Sequence, residues 1–364
     1  MKILYITTIG STMNFFISFI RQLLDEGHTV DIATNESSSK VPACYKEWGC
    51  TVYQIGTSRS PLDKGNVKAV KQIKEIVGEK KYDIVHCHTP VAAMCTRIAC
   101  RKAREKGTKV FYTAHGFHFY KGAPLKNWLL YYPVEKICAY FTDVLITINQ
   151  EDYALAQKKM KAKQVEYVPG VGIDLRKFGQ DTVDKPAKRK ELGVPKDVTL
   201  LLSVGELNEN KNHETVIRAI KDMDVYYIIA GKGGLQEHLQ GVINELGMTE
   251  RVKLLGFRAD VAELYQVADV YVLPSVREGL NVSIMEAMAS GLPVVCGRIR
   301  GNIDLIDEDG GSLFESQNVN DCKKSLEDVL SRERECLGKH NVKRVYAMSI
   351  KEINVQMKKL YQLN

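Results

Sequence analysis

The sequence predicts an α/β protein built from two facing, doubly wound parallel-sheet domains, with a last helix packing back across them. Three observations carry that expectation. The chain has 364 residues, and roughly 100–200 residues make one domain. Short, unbroken apolar runs alternate with helical patterns, as parallel strands covered on both faces require. The series then begins afresh after a polar, lysine-rich passage over 176–195. The expected boundaries are a first domain over 1–175, a linker over 176–195, a second domain over 196–345 and a returning C-terminal helix over 346–364.

The first series opens with an apolar strand over 3–7. A loop around Gly10 and Ser11 follows, then an amphipathic helix over 13–26, closed by Gly27 in a left-handed turn. A strand over 29–33 comes next, and further strand-like runs occupy 84–87, 109–113 and 144–147. In the second series the runs are 198–204, 225–230, 252–255, 270–273 and 293–296. Facing domains of this kind would leave a crevice outside the carboxyl ends of their strands, where open α/β sheets bind ligands. A helix over 349–360 is too isolated to form a core of its own.

Apolar residues make up 45% of the chain and charged residues 26%, which excludes disordered, collagenous and coiled-coil classes. Nine cysteines without a CxxC spacing indicate neither a disulfide framework nor a zinc site. With no charged-then-apolar leader at Met1, the expectation is a reduced cytoplasmic protein with no membrane span. The net charge of +7 is unevenly placed: residues 1–177 carry +10 and the remainder −3. That asymmetry fits either an anionic partner for the first half or a merely soluble surface. No aromatic-interleaved basic stretch or recognition motif points to nucleic acid.

The segment from Arg277 to Pro293 is the richest in chemistry. After a strand it turns at Gly279 into a helix, and a helix N-terminus at a strand's carboxyl end suits a phosphate. Glu278 lies in the loop and Glu286 in the helix. Ser283-x-x-Glu286 also fits a capping box, which would give Glu286 a purely structural task. Two acidic pairs, Asp222-Met223-Asp224 and Asp307-Glu308-Asp309, read as solvated turns. The pairs His86-x-His88 and His115-x-x-His118 lack the carboxylate or thiolate that would complete a metal site.

Glu278 and Glu286, with seven residues between them, resemble the E-x7-E motif of family 4 retaining glycosyltransferases of GT-B architecture, two Rossmann-like domains. The run 203–212 is similar to that family's phosphate loop. The run 113–124 resembles its capsular and exopolysaccharide branch, and the resemblance spans essentially the whole chain. It implies a hexosyl- or N-acetylhexosaminyl-transferase moving a sugar from a nucleotide sugar, UDP favoured, to an undecaprenyl-diphosphate-linked acceptor. No metal cofactor is implied.

By the same resemblance Glu278 contacts the donor sugar, Glu286 the ribose and Lys211 the diphosphate. Gly205, Glu206, Gly231, Arg258, Gly279, Leu280, Asn281 and Val282 complete the donor site. His115 hydrogen-bonds a sugar hydroxyl or the surroundings of the developing oxocarbenium, and lies with Gly10 and His88 on the acceptor side. A fixed cation stabilises a departing diphosphate without proton transfer. The chain departs from the family at Glu206, where an arginine is usual, and Arg277, Arg298 and Arg300 are candidates for the missing cation. Alternatives are a GT-B-type sugar-nucleotide 2-epimerase or a non-catalytic nucleotide-sugar-binding subunit. The helical stretch 127–133 gathers Trp128, Tyr131 and Tyr132 near Lys121, Lys126 and Lys136. It reads either as an anchor on the anionic inner face of the cell membrane or as core.

Overall fold

A computed structural model describes residues 1–61, 63–179 and 182–363. They form two units: Met1–Val171 together with the chain from Ile353 onward, and Gly172–Glu352. The first unit is a seven-stranded sheet of β1 (Lys2–Ile6), β2 (Thr29–Thr34), β3 (Val52–Gln54), β4 (Ile84–His88), β5 (Lys109–Ala114), β6 (Val144–Thr147) and β7 (Gln164–Tyr167). Their order is β3-β2-β1-β4-β5-β6-β7, and every pairing is parallel. The second unit is a six-stranded sheet of β8 (Thr199–Val204), β9 (Val225–Ala230), β10 (Val252–Gly256), β11 (Val270–Leu273), β12 (Val294–Gly297) and β13 (Gly311–Phe314). Its order is β10-β9-β8-β11-β12-β13, again parallel throughout.

The central strands are the apolar runs of the sequence, and their side chains are buried on both faces: Ile3, Leu4, Tyr5 and Ile6 in β1, and Val270 to Leu273 in β11. Three strands escaped the sequence reading: β3, β7 and β13. Each lies at a sheet edge, is short and partly exposed, and carries polar residues such as Gln54, Glu166 and Ser312. A short, partly exposed edge strand can carry polar residues and need show no unbroken apolar run, although β10, also at an edge, does read as a strand. The helix expected over 13–26 begins instead as a 3₁₀ turn, Gly10–Phe16, and is α-helical only over Ile17–Asp25. Gly27, at φ +82°, closes it.

The passage 176–195 is not a free linker. It folds into the second unit as two short helices, Leu175–Phe178 and Lys185–Glu191. Phe178 is buried against Tyr265, 5.8 Å between ring centres. The Lys188 ammonium lies 2.6 Å from Asp260, 2.8 Å from Glu263 and 3.0 Å from Glu191. A run that reads as solvated lysines thus neutralises an acidic cluster. The last helix, Ile350–Tyr361, joins the first unit over its length from Ile353. There the buried Tyr361 hydroxyl meets the Tyr5 hydroxyl at 2.9 Å and His86 Nδ1 at 2.5 Å.

One buried ion pair orients the first unit's helices. Arg97, on the helix Pro90–Ala99, is fully buried and meets Glu135, on the helix Leu125–Ala139, at 2.9 Å. The Tyr112 ring lies 4.3 Å from the guanidinium, and its hydroxyl donates to Glu135 at 3.2 Å. Removing one partner leaves an uncompensated buried charge, whereas replacing both by apolar groups does not. Arg97→Met should therefore lower stability by about 3–5 kcal/mol, and adding Glu135→Leu should restore most of it. Denaturant unfolding of both variants checks this.

Candidate active site

In the second unit the strand order reverses between β8 and β11, and the loops leaving these neighbours meet outside their carboxyl ends. The loop after β8 carries Asn208-Glu209-Asn210-Lys211-Asn212 and is stitched to the loop after β11 by side chains. Asn210 Nδ2 donates to the Arg277 carbonyl at 2.9 Å and Asn212 Nδ2 to the Pro274 carbonyl at 3.2 Å. The Val276 N–H donates to the Asn210 carbonyl at 2.8 Å. Between them the Lys211 ammonium donates to Glu278 Oε1 at 2.7 Å, both side chains largely buried. Two residues 67 positions apart are thus brought into one charged pair. Gly205 and Gly231 make room for the loop: a Cβ on Gly231 would sit 1.8 Å from the Gly205 carbonyl oxygen.

The helix Val282–Ala289 follows, and Asn281 caps it. The buried Asn281 carboxamide accepts from the N–H groups of Ser283 at 3.0 Å and Ile284 at 3.3 Å. Ser283 is therefore not the cap, and the capping-box reading of Glu286 fails. Two N–H groups expected to face a phosphate are satisfied by the chain itself. Glu286 instead takes a hydrogen bond from the buried Tyr265 hydroxyl at 2.9 Å. Burial raises its pKa, against that hydrogen bond and the charge of Lys177. A half-buried carboxylate without a capping duty is poised for a polar ligand.

Glu206 is exposed, so nothing buries a carboxylate where the family carries a cation. Arg300 is buried, with Nε donating to the Glu278 carbonyl at 3.2 Å. Arg298 donates to the Leu313 carbonyl at 3.1 Å and lies 3.6 Å from Glu315, while Arg277 is exposed beside Glu278. The Arg258 guanidinium is engaged by Asp260 and Glu191. Leu280 is buried, with Gly279 and Val282 half-buried beside it. Asp307 is paired with Arg344 at 2.7 Å and His340 at 2.9 Å, and Asp222 and Asp224 are exposed before β9.

In the first unit the order reverses between β1 and β4. His88 Nδ1 lies 3.2 Å from His115 Nε2, and His86 Nε2 lies 2.8 Å from the Thr113 hydroxyl. Burial pushes His115 down to about 4 and His86 to about 3, with the His115 charge adding to the latter. It drives His88 well below its usual value too. All three imidazoles are neutral near pH 7. His118 is separate from them and stacks on Tyr131 at 4.5 Å. Gly10 is buried, and a Cβ there would sit 2.4 Å from the Ser39 carbonyl oxygen. On its Cβ side the backbone of Gly10 is approached by this chain's own loop.

The sequence reading missed a pocket at this reversal point. Thr8, Thr12, Thr89, His118, Tyr131 and Arg59 line it, and Arg59 continues into a second pocket rich in hydroxyls, with Ser11, Ser38, Ser39 and Ser58. Thr89 adopts φ +68°, a conformation that costs a β-branched residue about 1–3 kcal/mol. Its hydroxyl is held by Thr8 at 2.6 Å. A lone Arg in a polar loop carries no signal in sequence. Only the neighbouring hydroxyls single it out.

Two family models match the chain, Glycosyl transferase 4-like over residues 2–149 and Glycosyl transferases group 1 over residues 184–344. The chain is 37% identical to the putative glycosyltransferase EpsD of Bacillus subtilis over 86% of its own length and 83% of that protein. It is 30% identical to the UDP-Gal:alpha-D-GlcNAc-diphosphoundecaprenol alpha-1,3-galactosyltransferase of Escherichia coli, over 70% and 69%. HepE of Anabaena in complex with UDP shares the fold, with a TM-score of 0.83 over the whole of both chains at 20% identity. Two doubly wound parallel-sheet units and these matches define a GT-B glycosyltransferase. The chain belongs to glycosyltransferase family 4.

The raised pKa of Glu286 has a signed consequence. A carboxyl whose folded pKa lies above its unfolded value stabilises the fold below the unfolded pKa, and that contribution is lost as pH rises through the folded pKa. Glu286→Gln removes the desolvated charge and keeps an acceptor for Tyr265. The variant should melt higher than the parent at about pH 8, with the difference shrinking toward about pH 4. Thermal melts across that range check the sign.

Proposed function

We propose that this glycosyltransferase works with retention, moving a hexose or N-acetylhexosamine from a UDP-sugar to an undecaprenyl-diphosphate-linked acceptor in capsular or exopolysaccharide repeat-unit synthesis. It acts at the cytoplasmic face of the cell membrane and without a metal ion. The observation that carries the reading is the Lys211–Glu278 pair, 2.7 Å apart, with Glu286 close by in sequence and free of any capping role. The UDP-Gal donor and diphosphoundecaprenol acceptor for which the Escherichia coli relative is named support the UDP-sugar and the lipid diphosphate.

Lys211 takes the diphosphate as it leaves. The bond from the anomeric carbon to the phosphate oxygen breaks while the acceptor hydroxyl attacks the same face, and the departing phosphate takes the hydroxyl proton. Charge grows on the diphosphate in the transition state, where a fixed ammonium in a half-buried setting acts most strongly. Until then Glu278 holds that ammonium in place. Glu278 faces the donor sugar and Glu286 the ribose hydroxyls, while a neutral His115 hydrogen-bonds a sugar hydroxyl. Arg59, among threonine and serine hydroxyls, takes a phosphate of the acceptor. A sugar-nucleotide 2-epimerase would need an acid/base pair in place of Glu278 and Glu286.

Incubation with a panel of nucleotide sugars and a short-chain lipid-diphosphate acceptor tests the reading. Transfer from a UDP-sugar with the anomeric configuration kept, undiminished by EDTA, is expected. Epimerised donor without transfer, or activity lost to chelator and restored by Mn²⁺, would overturn it. Two substitutions should separate the substrates. Lys211→Ala should lower kcat more than it raises the donor KM, because its charge is needed as the bond breaks. Arg59→Ala should raise the acceptor KM about tenfold with the donor KM unchanged, one charge-assisted hydrogen bond being worth about 1.5–3 kcal/mol. Steady-state kinetics on both substrates reads the contrast.

A further inference from the structure

The helix Leu125–Ala139 is apolar on two sides. Trp128, Tyr131 and Tyr132 pack against the first unit's core, with Trp128 and Tyr132 each within 5.6 Å of the Phe119 ring. The aromatic anchor expected from the sequence therefore points inward. The opposite side carries Leu125, Leu129, Ile137 and, just past the helix end, Tyr140, which are 73%, 71%, 61% and 58% exposed. At 3.6 residues per turn these positions fall on one face with the exposed Leu130 and Pro133. A soluble helix normally has a polar outer face. The buried Arg97–Glu135 pair holds this one with its aliphatic face outward.

The exposed charged residues of the helix itself are both lysines. Lys126 and Lys136 lie on it and are exposed, and Lys121 precedes it. Arg101 lies over the Phe141 ring at 4.4 Å, which brings the basic run Arg101-Lys102 beside the helix's end. The helix's carboxylate, Glu135, is buried and paired. An aliphatic face interspersed with lysines fits the boundary between acyl chains and anionic headgroups, where such helices lie in the plane of the surface. A second protein chain would be better matched by a polar or acidic rim. The pocket containing Arg59 is walled on one side by Tyr131 of this same helix.

We infer that the outward face of Leu125–Ala139, with Tyr140, is the surface by which the first unit sits on an anionic bilayer. The inference rests on the proposed membrane-side reading and names the surface that serves it. Insertion of the aliphatic side chains supplies the part of binding that salt does not screen. The lysines supply the part that it does.

Flotation of the full-length protein with vesicles of phosphatidylglycerol and phosphatidylethanolamine, against neutral phosphatidylcholine vesicles, tests this at low and high salt. The triple variant Leu125→Glu/Leu129→Glu/Ile137→Glu should lose binding at least tenfold, and Lys126→Ala/Lys136→Ala should lose it on anionic vesicles alone. Val355→Glu, at an exposed apolar position on the last helix, should bind like the parent. Melting curves and turnover of a water-soluble acceptor analogue establish that the variants fold. A parent that binds no vesicle overturns the membrane reading itself. A parent and triple variant that bind equally overturn this surface alone. A parent dimer in sedimentation velocity that the triple variant splits, without vesicle binding, would assign the face to a second copy and overturn the inference.

Discussion

Among the described residues all thirteen strands run parallel to their neighbours, and that one constraint places the chemistry. In a parallel sheet every strand delivers its following loop to the same edge. Where the strand order reverses, the connections beyond the two loops pass to opposite faces of the sheet and leave a crevice. The reversals fall between β1 and β4 and between β8 and β11. Thr8, Thr89 and the pocket with Arg59 lie at the first; Lys211 and Glu278 lie at the second. The same geometry buries the central strands on both faces, so they are mostly apolar, and polar exceptions such as His86 and His88 in β4 are buried with hydrogen-bond partners. The Lys211–Glu278 pair lies in the loops, while Glu286 comes from the helix that follows.

At the second reversal the site is assembled from opposed charges before any ligand arrives. Lys211 and Glu278 are largely buried, a situation in which either alone would carry a heavy desolvation cost. Paired, they hold one another and keep the ammonium in a fixed position. A fixed charge needs no reorganisation when a leaving group develops its own. The asparagines at 208, 210, 212 and 281 carry the supporting hydrogen bonds. They leave the carboxylate of Glu286 to Tyr265 and to whatever polar ligand enters.

The first unit shows how a buried polar contact can govern an exposed surface. The Leu125–Ala139 helix has enough apolar residues to bury either side. The Arg97–Glu135 pair, with Tyr112 against both, decides which side turns in. The aromatic side goes to the core, where large rings bury the most area. The leucines and the isoleucine are left outside. A helix of this kind has almost no net polarity difference between its faces, which is why its composition alone misdirects.

Much of the architecture was legible before folding. Central strands are mostly apolar, so their places in both βα series could be read to within a residue or two. The spacing of Glu278 and Glu286 and the loop around Lys211 are local features that survive in one dimension. Edge strands β3, β7 and β13 were not legible, because partial exposure permits polar residues and removes the signal. Nor was the role of 176–195, since a lysine that neutralises Asp260 looks the same as one in water. Ser283-x-x-Glu286 satisfied a local capping pattern that Asn281 pre-empts by geometry. The exposed face of Leu125–Ala139, the meeting of Lys211 with Glu278 and the hydroxyl pocket around Arg59 all join segments far apart in the chain. Spacing decides which side chains share a strand or a turn; which side of an element meets a neighbour is decided only when burial and charge pairing are satisfied together.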